Sequence, residues 1–182
     1  LTEQLLNKGK IKLEELETII CCRGPSSFSG IRKNLTIASA LSFDSNVKIL
    51  TVSDLAAQSY AAFLLNDAKT ILVANDAKRG QVFFAAYQFK ASDHANCIKE
   101  DSIVKPENTM ASLDIDINNL CLVGDGWEKY HQKIPNRLKE FPTIRIENVL
   151  PSTLISLALS YPSLLKLTHQ EVDPNYLRHP VE

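Results

Sequence analysis

The apolar positions of the chain alternate between two rhythms. Thr18-Ile-Ile-Cys-Cys22 and residues 47–52 are short apolar runs with the composition of buried strands. Between them Ile31, Leu35, Ala38 and Leu41 recur at helical spacing, which predicts a helix over 31–43 that Asp44-Ser45-Asn46 ends. Ser53 is a good N-cap for a helix rich in Ala and Leu through residue 65. Upstream, residues 1–8 read as the end of a helix with Leu1 and Leu5 on one stripe and Gly9 as its terminator, followed by a single helical turn at 13–16. Strand, loop, helix, strand, helix is the alternation of an α/β lobe with a parallel component.

Downstream, 70–74 and 81–89 are strand-like, and the Asn75-Asp-Ala-Lys-Arg-Gly80 connection predicts a hairpin. Val82, Phe84 and Ala86 would face one way and Phe83, Ala85 and Tyr87 the other. Both faces are apolar, so the hairpin is expected to be covered on both sides. Residues 91–96 read as polar loop, and Pro106 as the start of a helix to about 113. Residues 120–123 form a strand ending in Gly124-Asp125-Gly126, 127–132 are helical, Pro151 opens a helix over 152–161, and 174–182 are too Pro-rich for one. Polar residues at 66–68 set the expected boundary. Residues 1–66 form a first lobe and 67–182 a second, with the C-terminal helix packing back on the first.

Composition narrows the function classes. The net charge of −1 excludes coating of nucleic acid by charge alone, and 45% hydrophobic with 23% charged residues is a globular balance. Cys21, Cys22, Cys97 and Cys121 contain no CxxC pair, so reduced thiols in a cytoplasmic protein are expected. No apolar run approaches the roughly 20 residues of a membrane span. The chain opens on Leu, not Met, and shows no signal peptide, so a processed, truncated or partial chain is expected.

Several segments carry candidate chemistry. The loop Arg23-Gly24-Pro25-Ser26-Ser27-Phe28-Ser29-Gly30 precedes a helix. Its amides and hydroxyls can hold an anion, or its glycines can supply unusual φ values in a tight connection with Ser29 as cap. It matches neither GxxxxGK[ST] nor GxGxxG. Asp76 beside Lys78 and Arg79 can contact a phosphate or metal, and turn chemistry explains the same residues. Gly124-Asp125-Gly126 follows a strand, where α/β folds place ligand loops. The four histidines are unpaired in sequence, with no HExxH and no GxSxG, so no metal site or nucleophile is assigned. The 31–43 helix combines apolar and small residues, among them Ala38, Ser39 and Ser42, a pattern open to plain core burial or to a second packing surface.

Five segments resemble one family in order and spacing. Cys22-Arg-Gly-Pro-Ser-Ser-Phe-Ser-Gly-Ile-Arg32 is similar to GRGPGSFTGLR of the bacterial TsaB (YeaZ) family. Ser53-Asp-Leu55, Asn75-Asp-Ala-Lys-Arg-Gly-Gln-Val-Phe83, Val123-Gly-Asp-Gly-Trp127 and Asp173-Pro-Asn-Tyr-Leu-Arg178 resemble its VSSLxAL, IDARRGEVY, VGxGW and EPxYLR segments. The resemblance implies an actin-like (ASKHA, ribonuclease H-like) α/β fold of two lobes. It also implies a non-catalytic role in making threonylcarbamoyladenosine next to the tRNA anticodon. TsaD would be the partner and the catalyst, TsaE would join through the TsaD complex, a homodimer is a further possibility, and tRNA would be met only indirectly. No membrane contact is expected. No cofactor is assigned, with ATP or ADP at the complex interface as the candidate.

The family contact with TsaD uses two helices. On this chain it implies Leu1, Leu5, Ile31, Leu35, Ala38, Ser39 and Ser42 as partner-binding residues. Arg23 to Gly30 with Arg32 would form the motif loop, and Asp76, Gly124, Asp125 and Gly126 the nucleotide contacts. The given residues begin after the point where the family's opening strands would lie, so an incomplete first lobe is expected. Ser26 replaces a glycine, and on the partner helix Lys33-Asn34 and Ser39-Ala40 replace the family's usual Ile-Gly and Lys-Gly. The alternative function is an actin-like ATPase or phosphotransferase built on the Gly/Ser loop, Asp76 and Gly124-Asp125-Gly126. A peptidase reading would need a metal-binding His pair, which the spacing does not supply.

Overall fold

The computed structural model describes residues 2–43, 45–66, 68–90, 94–111, 113–168 and 172–178. The chain runs α1 (Thr2–Gly9), β1 (Thr18–Cys22), α2 (Phe28–Ser42), β2 (Lys48–Val52), α3 (Asp54–Leu65), β3 (Thr70–Asp76), β4 (Val82–Lys90), β5 (His94–Val104), β6 (Leu120–Val123), α4 (Asp125–Lys129), β7 (Thr143–Ile144), α5 (Pro151–Ser160) and β8 (Leu165–Thr168). Two sheets result. The smaller has the order β1-β2-β8 and the larger β5-β4-β3-β6-β7.

The parallel pair is β1 with β2, from Thr18 opposite Lys48 to Cys22 opposite Val52. The crossover between them is α2, the connection a parallel pair requires. A late strand, β8, returns to the smaller sheet antiparallel to β2, and α5 packs on α3 and β1. In the larger sheet β3 and β4 form the hairpin, with Thr70 opposite Gln88 and Asp76 opposite Val82. Lys78, Arg79 and Gly80 turn it with positive φ, which its length demands.

Both faces of β4 are covered, as the alternation predicts. Val82, Phe84 and Ala86 join Leu72, Leu122 and Trp127 on one side. Ala85, Tyr87 and Phe89 join Tyr60, Ile71 and Val73 on the other, beneath α3. Trp127 closes the first cluster. Its ring meets Phe84 edge-on at 6.1 Å, and its Nε1 donates to Leu72 O at 3.2 Å and Val123 O at 3.0 Å, so burial leaves no indole N–H unpaired.

Four local expectations need correction. The helix α2 starts three residues early because Ser27, not Ser29, is the cap, accepting from the Gly30 N–H at 3.3 Å. Lys10 rather than Gly9 takes the left-handed position ending α1. Its N–H bonds Asn7 O while the Ile11 N–H reaches Leu6 O, the paired bonds of a Schellman ending. Residues 94–96 are not loop but the start of β5, an edge strand whose polar composition hides it (91–93 lie outside the described residues). Pro106 opens only a 3-10 turn, Pro106–Asn108.

Candidate functional site

Four of the five motif segments meet at one cleft of about 1100 Å³ between the two sheets. The loop before α2 supplies Pro25, Ser26, Ser27 and Phe28, the hairpin turn supplies Asn75 to Lys78, β6 delivers Gly124 and Asp125, and the chain end contributes Asn175 to Arg178. Each is shaped by local constraints. Gly24 sits at φ +97°, and a Cβ there would lie 2.5 Å from Ile31 Cδ1. Gly124 sits at φ +105°, with a hypothetical Cβ only 2.4 Å from Ala74 O and Asn75 Oδ1. Gly24 leaves room for the Ile31 side chain, and Gly124 lets its backbone pass close to that of β3.

The segment 172–178 is a strap across the two sheets. Its Asn175 N–H donates to Arg23 O at 2.8 Å, and Asn175 Nδ2 donates to Asp101 Oδ2 at 2.6 Å. Tyr176 stacks on Phe28 with ring centroids 5.1 Å apart and accepts from Arg32 Nε at 3.0 Å. Arg32 in turn lies 3.9 Å over the Phe28 ring. Arg178 donates to Ala77 O at 3.0 Å and Gln81 Oε1 at 2.9 Å, tying the strap to the hairpin turn.

The carboxylate nominated for nucleotide contact is already engaged. Asp76 Oδ2 receives Lys78 Nζ at 2.8 Å and Lys129 Nζ at 2.5 Å. Its Oδ1 receives the Tyr130 hydroxyl at 2.8 Å and the Lys78 N–H at 2.9 Å. Only 3% of its side chain is exposed. Burial alone would raise the Asp76 carboxyl, but Lys129, Lys78 and Tyr130 outweigh it and hold the group below the ordinary carboxylate range. Asp125 Oδ1 accepts the Asp76 N–H at 2.8 Å, so Gly124-Asp125-Gly126 also braces the hairpin.

Two carboxyls that the sequence did not single out sit at the seam. Asp54 and Asp101 are both raised, chiefly by burial. Ser26 and Cys22 hydrogen bonds oppose the shift at Asp54, and Ser53, Arg23 and Tyr87 oppose it at Asp101. The thiols here are held protonated: burial pushes Cys21 and Cys97 each up to about 11, and Cys22 further. The sequence pattern assigns no element to residues 97–105, so Asp101 carries no local signal, and it is the strand β5 that brings it to this position.

The helix α2 divides cleanly. Ile31, Leu35, Ala38 and Ser42 are buried against the chain's own sheet, so as partner contacts they are misplaced: the stripe that marks the helix is the stripe that seals it. The opposite flank is open, with Ile37 46% and Phe43 77% exposed, Ala40 exposed and Ser39 half-buried between the faces. Leu5 on α1 is 60% exposed, and Leu1 lies outside the described residues. Arg23 and Gly24 serve the seam, Arg32 the strap, and Gly30 leaves room for the Ser27 cap, 2.8 Å from where its Cβ would sit. Ser29 is an exposed residue of the first turn.

Known proteins resemble this chain in sequence and in fold. Residues 1–160 match the model of the family described as TsaD, tRNA N6-adenosine threonylcarbamoyltransferase. The tRNA threonylcarbamoyladenosine biosynthesis protein TsaB of Haemophilus influenzae is 28% identical, over 98% of this chain and 77% of that protein. The TsaB of Buchnera aphidicola subsp. Schizaphis graminum is 30% identical, over 84% of this chain and 78% of that protein. A crystal structure from Pseudomonas aeruginosa, described as an uncharacterized protein with similarity to peptidase YeaZ, superposes with a TM-score of 0.79 at 24% identity, covering 97% of this chain and 81% of that one. The mixed α/β, actin-like architecture is therefore shared, and the chain belongs to the TsaB (YeaZ) branch of the TsaD family.

Proposed function

We propose that this chain acts in tRNA threonylcarbamoyladenosine biosynthesis as a supporting subunit that binds TsaD and leaves the transfer chemistry to it. TsaE joins through TsaD, tRNA is met only through the complex, and the setting is the cytoplasm. The observation that carries the reading is the two-sided α2. One face is sealed by Ile31, Leu35 and Ala38, while Ile37, Ala40 and Phe43 stand exposed on the other. An apolar helix flank rigidly held from behind is what a helical partner needs. The tight use of Asp76 by two lysines and a tyrosine weighs against the nucleotide-enzyme reading.

The test is calorimetric titration with the TsaD encoded by the same genome. Phe43→Asp and Ile37→Glu are expected to weaken binding by about 10-fold or more, as for central interface positions, with the unfolding midpoint unchanged. Wild-type affinity in both variants would overturn the reading. Threonylcarbamoyladenosine formation on tRNA in a reconstituted mixture is expected to fall in parallel.

A further inference from the structure

A second, shallower groove of about 520 Å³ runs beside the exposed flank of α2, and a third of its lining residues come from the strap. One wall is Thr36, Ser39, Ala40 and Phe43, and the other is Val172, Pro174 and Tyr176 of the strap. The strap is held there from the larger sheet, by Asn175 on Asp101, and from α2 itself, by Tyr176 on Arg32 and Phe28.

Among the described residues, the helix side of this groove carries only positive charge. The helix carries exposed Arg32 and Lys33 and no carboxylate along its length. The strap's Asp173 lies toward Lys166, 4.0 Å from its ammonium nitrogen. A second copy docking helix to helix would bring two more cations and no α2 carboxylate to meet them. A partner with carboxylates beside an apolar side chain would complement the surface.

Resting on the reading above, we infer that α2 and the 172–178 strap form one composite groove. It receives an apolar side chain flanked by acidic residues from TsaD, so the chain end is part of the partner site. Affinity at α2 then depends on contacts made on the larger sheet, since these place the strap wall.

Titrations of the full chain with TsaD test this, each variant checked for an unchanged unfolding midpoint. Val172→Glu is expected to lose about 10-fold or more in affinity. Val172→Ser, which removes the apolar wall without adding charge and guards against misfolding of the first variant, is expected to lose a few-fold. Thr36→Glu should weaken binding and Thr36→Lys should preserve or tighten it, with the difference shrinking as salt rises. If both Val172 variants bind like wild type while Phe43→Asp weakens, the composite groove is wrong and the helix reading stands. If Phe43→Asp also binds like wild type, the helix reading itself fails. If Val172→Ser instead dissociates a dimer of the free chain in sedimentation and leaves TsaD binding unchanged, the occupant is a second copy and the inference is overturned.

Discussion

The two sheets spend their apolar surface differently. In the larger sheet, Ile71, Leu72, Val73, Ala85 and Ala86 are all fully buried, with α3 on one side and the Trp127 cluster on the other. In the smaller sheet, Ile19 to Cys22 of β1 are only half-buried, Leu167 of β8 is exposed, and α2 shows solvent an apolar flank. The first sheet has both faces covered by the chain itself. The second leaves apolar area uncovered, and that residue of unspent burial is the physical content of a docking surface.

The contrast can be broken most forcefully at Trp127. Replacing it with Ala removes a fully buried indole and two hydrogen bonds, and a loss of about 3–5 kcal/mol in denaturant unfolding is expected. A loss under about 1 kcal/mol would mean the larger sheet is not the stable half. Next comes Gly124→Ala. A left-handed φ for Ala costs about 1–2 kcal/mol before the Cβ meets Ala74 O, so a drop of at least that size is expected in the same measurement.

A smaller, pH-dependent effect sharpens the comparison. The folded state depresses the Asp76 carboxyl, so Asp76 adds stability that is fully present above its ordinary pKa of 3.8 and is lost as pH falls below that value. Asp76→Asn is therefore expected to unfold more easily than wild type at pH 6, with the gap closing below about pH 4. Asp101 has the opposite sign. Its carboxyl is raised, so its contribution is best at low pH and declines as pH rises above 3.8 through its folded value. Asp101→Asn should flatten that decline. Unfolding curves of both variants from pH 3 to 7 check the signs.

The least effect on stability is expected at the docking flank. Ile37→Glu should change the unfolding free energy by no more than about 0.5 kcal/mol, because the side chain already faces water. Leu35→Arg, two residues away on the sealed face, should cost several kcal/mol, about 3–5 for a buried uncompensated charge.

Much of this was legible in the sequence. Period-2 alternation placed both faces of β4, and Ser53 capped α3 through its hydroxyl to Leu55 and Ala56 N–H. What escaped has physical causes. The strand β5 is an edge with polar, exposed positions, so neither apolar run nor alternation marks it. On α2, the stripe at 31, 35 and 38 reveals a helix without revealing whether sheet or partner covers it, and the apolar Ile37 and Phe43 on the other side carry no periodic signal. The strap's bonds join residues 144 and 74 positions apart, Tyr176 to Arg32 and Asn175 to Asp101, and no local pattern encodes such a span.

Hydrogen–deuterium exchange of this chain with and without TsaD probes the docking face directly. Saturating TsaD should slow exchange over residues 36–43, and leave the hairpin turn at 77–81 as in the free chain. Unchanged exchange across 36–43 in a complex shown to have formed would contradict the account.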